Sequence, residues 1–247
     1  MIVRAKEKYI REAGKIVANS IEKMALLAVP GNTTGHLNNY AKEVINSNKH
    51  VKSSFYGFSG FPEYICTSIN EEAVHGIPSC SRELKEGDML SIDFAVSYKG
   101  YHADAAITIP IGKVDNRKTN IISVGKATLN TAISVATKGR HIGDISYTIQ
   151  SFADDMGCIP VIEFSGHCIG TEMHMPPQIP SFGIPESGLI LEEGMALAIE
   201  PVIADGKYKL QKDMDGWTVR TTNGVLTSHF EHTVLITKNG TDILTKV

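Results

Sequence analysis

Asp88–Gly112, DMLSIDFAVSYKGYHADAAITIPIG, decides how the rest of the chain is arranged. Two β-branched and apolar runs meet at Lys99-Gly100, where glycine supplies the positive φ a tight turn needs, so the stretch reads as a β-hairpin. With Lys99 and Gly100 at the centre of the turn, Tyr98 faces Tyr101 and Ala95 faces Asp104. Side chains alternate faces with period two, so Asp93 shares a face with Ala95 and therefore with Asp104. The two carboxylates are then diagonal cross-strand neighbours, roughly 7–8 Å apart at the backbone. No Lys or Arg lies between Met89 and Tyr98 to neutralise them. Two like charges on one face of an apolar ribbon are destabilising unless a cation sits between them, and a metal ion is the cation this pattern calls for.

Outside the hairpin, the 247 residues are 42% hydrophobic and 21% charged, the composition of an ordinary soluble globular protein. A net charge of −3 and the lack of any Lys/Arg block leave no footprint for nucleic acid. Cys66, Cys80, Cys158 and Cys168 show neither CxxC spacing nor disulfide density, and read as free thiols of a reducing compartment. The opening MIVRAKEKYIREAGKIVANS lacks the apolar run of a signal peptide. No stretch approaches the roughly 18 apolar residues of a membrane span. The expectation is a cytoplasmic protein.

The spacing predicts a helix over residues 6–29 that stops at Pro30-Gly31, and a second opened by Thr33 or Thr34. FYGFSGFPEY (55–64) is too irregular for a helix. Ile65–Ile69 reads as a strand, followed by an acidic loop reaching His75-Gly76. After the hairpin, helices are expected over Asp115–Lys138 and over Ile145–Met156, the latter opened by Asp144 and closed by Gly157. Ile159–Phe164 reads as a strand leading to the glycine-flanked turn Gly166-His167-Cys168-Ile169-Gly170, and Met175–Pro185 as a Pro-rich loop. Strands are expected over Met195–Ile203, Lys207–Leu210, Trp217–Thr221 and His229–Ile236. With no linker or low-complexity stretch, residues 1–247 read as one α+β domain.

Two more acids stand in apolar strands. Glu200 ends MALAIEP, with no basic residue from Met195 to Ala204, and Glu231 lies in SHFEHTVLIT, with none before Lys238. Any one acid alone is most simply a charge that finds an arginine, a helix N-terminus or solvent. Four such acids together with His167 point instead to a metal centre. Oxygen-rich sites with one imidazole suit Mn, Fe, Co or Zn, and carboxylates able to bridge favour two ions. Four carboxylates offset about two divalent cations.

In their order and local words, Asp93, Asp104, the GHCIG histidine, the AIEP glutamate and the EHT glutamate resemble the methionine aminopeptidases of the shorter, bacterial type. SINEEAVHGIPS (68–79) and DGWTVRT (215–221) extend the resemblance over nearly the whole chain. It implies an α/β pita-bread fold, with a central curved antiparallel sheet, flanking helices and pseudo-twofold halves. It implies two divalent metal ions (Co, Mn, Fe or Zn) held by Asp93, Asp104, His167, Glu200 and Glu231. Asp104 and Glu231 would bridge, His167 and Glu200 would complete one site, and Asp93 the other.

The reaction implied is hydrolytic removal of an N-terminal methionine, preferring a small second residue, with a metal-activated water attacking the peptide carbonyl. Glu200 would take the proton, His174 would donate to the tetrahedral intermediate, and His75 would contact the scissile nitrogen or the residue after it. The partners implied are peptide and nascent-chain N-termini, including those at the ribosome, met by a monomer. Phe58, Phe61, Cys66 and Trp217, with Met173 beside His174, resemble the methionine pocket, whose thioether guest favours aromatic and sulfur contacts.

The chain departs from the family pattern at Cys168, where glycine is usual, and at Met175, where glutamate is usual. His229 stands where an amide is common, and phenylalanines where pocket tyrosines are frequent. Two other readings share the residues: a prolidase or aminopeptidase P, whose members carry a separate N-terminal domain, and a binding module of the same fold, whose members lose metal ligands.

Overall fold

Lys99 (φ 51°) and Gly100 (φ 79°), both left-handed, turn the chain over at the tip of the central hairpin in the computed structural model, which describes residues 6–246. The helices are α1 (Glu7–Leu27), α2 (Thr34–Ser47), α3 (Asn116–Val135) and α4 (Ile142–Asp155). The first strands are β1 (Val51–Ser53), β2 (Cys66–Ile69), β3 (Glu72–Val74), β4 (Met89–Tyr98) and β5 (Tyr101–Pro110). Then come β6 (Ile159–Pro160), β7 (Ser165–Cys168), β8 (Met175–Pro180), β9 (Ala196–Ile199) and β10 (Val202–Ala204). The last are β11 (Leu210–Lys212), β12 (Val219–Thr221), β13 (Thr227–His229), β14 (Glu231–Thr237) and β15 (Gly240–Ile243).

An antiparallel sheet runs in the order β1-β4-β5-β14-β9-β7-β8, with β2 also paired to β4 and β15 to β14. Its faces follow from period two. Leu90, Ile92, Phe94 and Val96 of β4 pack under α1 and α2, while Leu197 and Ile199 of β9 and Val234 and Ile236 of β14 pack under α3 and α4. Two helix pairs thus each cover one half of the same sheet, the α/β pita-bread arrangement with its curved antiparallel sheet. Phe94, fully buried in the half under α1 and α2, would cost about 3–5 kcal/mol if cut to alanine.

Local chemistry accounts for several boundaries. Thr33 caps α2 by accepting from His36 N–H at 3.2 Å, and Asp115 caps α3 by accepting from Lys118 N–H at 2.8 Å. In the hairpin Ala95 pairs with Asp104 and Tyr98 with Tyr101, the register the alternation requires.

Other elements differ from the expectations. α4 begins at Ile142, and Asp144 sits in its first turn, accepting from the His141 N–H at 2.8 Å in a capping box instead of opening the helix. α3 ends at Val135, short of Lys138. The acidic loop before His75 is partly strand: Glu72–Val74 pairs with β12, and the buried Glu72 carboxylate is held by Arg82 (2.7 Å) and Arg220 (3.0 Å). His167 lies in β7 and not in a turn, because Gly166 lets β7 approach β9 where any Cβ would strike the Ala198 carbonyl oxygen. The strand expected over Ile159–Phe164 is only β6, and the Pro-rich segment begins as strand β8, paired with β7. Strands β11 and β12 start later than expected, at Leu210 and Val219. The strand expected over Met195–Ile203 is broken between β9 and β10, and that over His229–Ile236 between β13 and β14. The ladder runs His232 to Ile199 on one side of the break and His229 to Val202 on the other. Pro201, with no N–H to give, stands in the gap beside Glu200.

Candidate active site

The face of the sheet turned away from the helices carries the acids. Asp93 of β4 stands opposite Cys66 of β2 and Ala106 of β5, and Glu231 of β14 also pairs with Ala106. Asp104 is locked to β14 in both directions: its N–H donates to Thr233 Oγ1, and that hydroxyl donates to the Asp104 carbonyl, each at 2.8 Å. The break in the ladder lets Glu200 turn onto the same face. Its Oε1 lies 3.3 Å from His167 Nε2, and its Oε2 lies 3.9 Å from His229 Nε2.

The five residues expected to bind metal are therefore together. Asp104, His167 and Glu231 each offer an atom within 4.8 Å of the others, and so do Glu200, His229 and Glu231. Asp93, Asp104, His167, Glu200 and Glu231 all line one cavity of about 180 Å³. None of the four carboxylates has a lysine or arginine partner among the described residues, and Asp93 Oδ1, Asp104 Oδ1 and Glu231 Oε1 are buried with no hydrogen bond there. Buried carboxylate oxygens are normally paired, and leaving one unpaired costs several kcal/mol.

Burial raises Asp93, Asp104 and Glu231 above the usual carboxylate range, and the other acids push Asp93 and Glu231 further. A divalent cation removes this penalty at once. One imidazole, from His167, and several carboxylate oxygens form a donor set of the kind borderline divalent metals take, so the residues present fit such an ion.

His167 is oriented for this by its other nitrogen. Nδ1–H donates to the Cys168 carbonyl at 3.0 Å, which leaves the Nε2 lone pair facing Glu200. Burial opposes protonation of this ring, but Glu200 and Asp104 more than offset it and raise its pKa.

His174 stands with its ring centroid 4.5 Å from that of His167, edge to face, and 5.2 Å from Phe58. Burial, and then the neighbouring histidines, push it down to about 4, so it is a neutral imidazole at physiological pH. His75 takes a left-handed backbone (φ 60°), uncommon for any non-glycine residue and a conformation that collects at functional sites. Its ring stands edge-on to Phe164 (5.7 Å) and Trp217 (6.4 Å), and burial lowers its pKa.

Phe58, Phe61, Cys66 and Trp217 all line the 180 Å³ cavity, with Phe55, Ser59 and Met173. Phe61 packs edge-on against Trp217 at 5.1 Å and against Phe55 at 6.3 Å. Trp217 is held by Asp215, whose Oδ1 accepts from the Trp217 N–H at 2.8 Å. Burial pushes the Cys66 thiol well up, and the nearby acids add to this, so it stays a protonated, polarisable wall. Phe58 is the exposed ring among the aromatic members, at the mouth. On the other side of His75 and His174 lies a wider space of about 590 Å³, reaching Glu163 and Gln178.

Phe55 and Ser59 of the cavity wall escaped the sequence reading, and His229 entered it only as a departure from the family pattern. Phe55 belongs to an aromatic-rich segment in which nothing marks one ring from another. His229 had a signal, since it stands two residues before Glu231 in a strand and so shares its face.

Residues 8–238 match the model of metallopeptidase family M24. The chain is 42% identical over 238 residues to a methionine aminopeptidase of Clostridium acetobutylicum, covering 96% of this chain and 95% of that one. It is 40% identical to methionine aminopeptidase 1 of Bacillus subtilis, with the same coverage. The crystal structure of a methionine aminopeptidase from Thermotoga maritima superposes with a TM-score of 0.95 over 100% of both chains, at 38% identity. No helix among the described residues is long and apolar enough to cross a membrane. By sequence over nearly its full length, and by fold over all of it, the chain belongs to metallopeptidase family M24 and, within it, to the methionine aminopeptidases.

Proposed function

We propose that the chain removes the N-terminal methionine from peptides and nascent proteins, preferring a small second residue and using two divalent metal ions. The observation that carries this reading is the buried carboxylate cluster, with three oxygens lacking any hydrogen-bond partner among the described residues, at the end of a cavity walled by aromatic rings and sulfur. Asp93, Asp104, His167, Glu200 and Glu231 would hold the ions. When bound, such ions lower the pKa of water and polarise the carbonyl to be attacked.

The protein's own groups do the rest. The methionine side chain enters between Phe61, Trp217, Cys66 and Met173, an apolar slot that excludes water and makes favourable contacts with a thioether. Glu200 takes the proton of the attacking water on a carboxylate oxygen and returns it to the leaving amine. His174, neutral through burial, keeps an N–H to donate to the carbonyl oxygen as charge develops on it. His75 contacts the scissile nitrogen or the residue after it, and the 590 Å³ space beyond receives the following chain.

The test is methionine release from Met-Ala, Met-Leu and Xaa-Pro dipeptides by protein reloaded with Co, Mn, Fe or Zn after chelation. Release from Met-Ala well above Met-Leu, and none from Xaa-Pro, is the expected result. Cleavage of the Xaa-Pro peptide alone would instead make it a prolidase.

A further inference from the structure

The roles above leave the His229 imidazole unused, yet its placement is hard to explain as packing. The residue is 3% exposed, and Nε2 has no hydrogen-bond partner among the described residues. A buried ring nitrogen without a partner is rare in native proteins, because it forfeits its contact with water and gains nothing. It faces Glu200 Oε2 at 3.9 Å, too long for a hydrogen bond. Glu200, His229 and Glu231 nevertheless each offer a ligand atom within 4.8 Å of the other two. Donors bound at about 2.0–2.2 Å to one ion stand roughly 3–4.4 Å from each other, so the spacing is that of ligands around a cation.

The backbone aims the ring there. His229 ends β13 and Glu231 opens β14, two residues apart in extended chain, so both side chains leave on the same face. Thr108 fixes the strand at this point: its Oγ1 accepts from the His229 N–H at 2.8 Å and donates to the His229 carbonyl at 2.9 Å. Glu200 is thus bracketed by imidazoles, His167 on Oε1 and His229 on Oε2. Glu200 and Glu231 line the substrate cavity and His229 does not, so the ring approaches the carboxylates from behind and is not a substrate contact.

We propose that His229 is a ligand of a divalent ion shared with Glu200 and Glu231, so that the centre carries two imidazoles in place of the one the resemblance implies. This rests on the metal-centre reading given above. A second neutral nitrogen donor adds no charge, and it shifts preference toward Zn, Co or Fe and away from Mn and Mg.

The test reads the ring nitrogens directly. Protein labelled with 15N-histidine and stripped with chelator is titrated with Zn(II) and followed by long-range 1H–15N NMR, with assignments from His167→Gln, His174→Gln and His229→Gln. The expected result is that two Nε2 signals move to the metal-bound position. One is missing in His167→Gln, the other in His229→Gln, and both persist in His174→Gln. Calorimetry should show Zn(II) affinity falling about 10-fold or more in His229→Gln. A single moved signal, that of His167, overturns the inference and leaves the metal centre intact. No zinc binding and no moved signal overturns the metal reading itself. Because the count of moved signals is made in the unaltered chain, a His229→Gln protein that failed to fold would not remove the test.

Discussion

Glu200 Oε1 lies 3.3 Å from Nε2 of His167, a ring whose opposite nitrogen is committed to the Cys168 carbonyl at 3.0 Å. Carboxylate and imidazole are therefore held in mutual register by backbone, because His167 sits in a strand and Glu200 at the break between two.

Glu200→Gln keeps the shape of the side chain and removes its charge and proton affinity. The expected outcome is a loss of at least about 100-fold in kcat for Met-Ala, the scale of a lost general base. Circular dichroism should be unchanged and metal affinity lowered. Near-normal turnover would remove Glu200 from the proposed proton transfer.

Phe58 stands at the cavity mouth, 45% exposed, with its ring centroid 5.2 Å from that of His174. Phe58→Ala takes away apolar contact to the substrate without opening the core. KM for Met-Ala should rise about 10-fold, equivalent to about 1.4 kcal/mol, with kcat changed far less. Steady-state kinetics check the split, and a fall in kcat alone would mean the ring acts through His174.

Gly100, at φ 79° with no atom of the described residues beyond its chain neighbours within 4 Å of where its Cβ would be, is required for backbone reasons alone. Gly100→Ala should cost about 1–2 kcal/mol, and Tm should fall by about 2–4 °C for each kcal/mol in a domain of this size. Activity of the folded fraction should stay as it was, since Asp93 and Asp104 are remote from the turn. Calorimetry and specific activity together test it.

Asp144 caps α4 and also accepts from the Glu186 N–H at 2.8 Å, tying the helix to the loop before β9. The hydrogen bonds from His141 and Glu186 hold its carboxyl below the usual carboxylate range. A pKa lowered in the folded state means stabilisation that is complete above the unfolded value of about 3.9 and is lost as pH falls through the folded one. Asp144→Ala should therefore cost about 1 kcal/mol at pH 7, with the gap from the parent protein closing as pH drops below about 4. Urea melts across pH 3–7 measure this, and a constant gap would show that charge is not the cause.

Some of this architecture was written locally. Lys99-Gly100 and strict alternation fix the hairpin register, and with it the shared face of Asp93 and Asp104, because turn chemistry and period two act between near neighbours. The start of the second helix at Thr33 or Thr34, and the candidacy of His167, Glu200 and Glu231, were equally readable from side-chain chemistry in its local setting, and the structure makes Thr33 the cap. Tertiary pairing decided the remainder. Glu72–Val74 and Met175–Pro180 become strands only because β12 and β7 arrive to pair with them. The ladder breaks at Pro201 and Phe230, and so brings His229 and Glu200 to the same cluster, only when β9, β10, β13 and β14 are side by side. A strand's partner, and the unpaired nitrogen or oxygen it leaves buried, depend on segments far away in the chain, and no local pattern of residues encodes that distance.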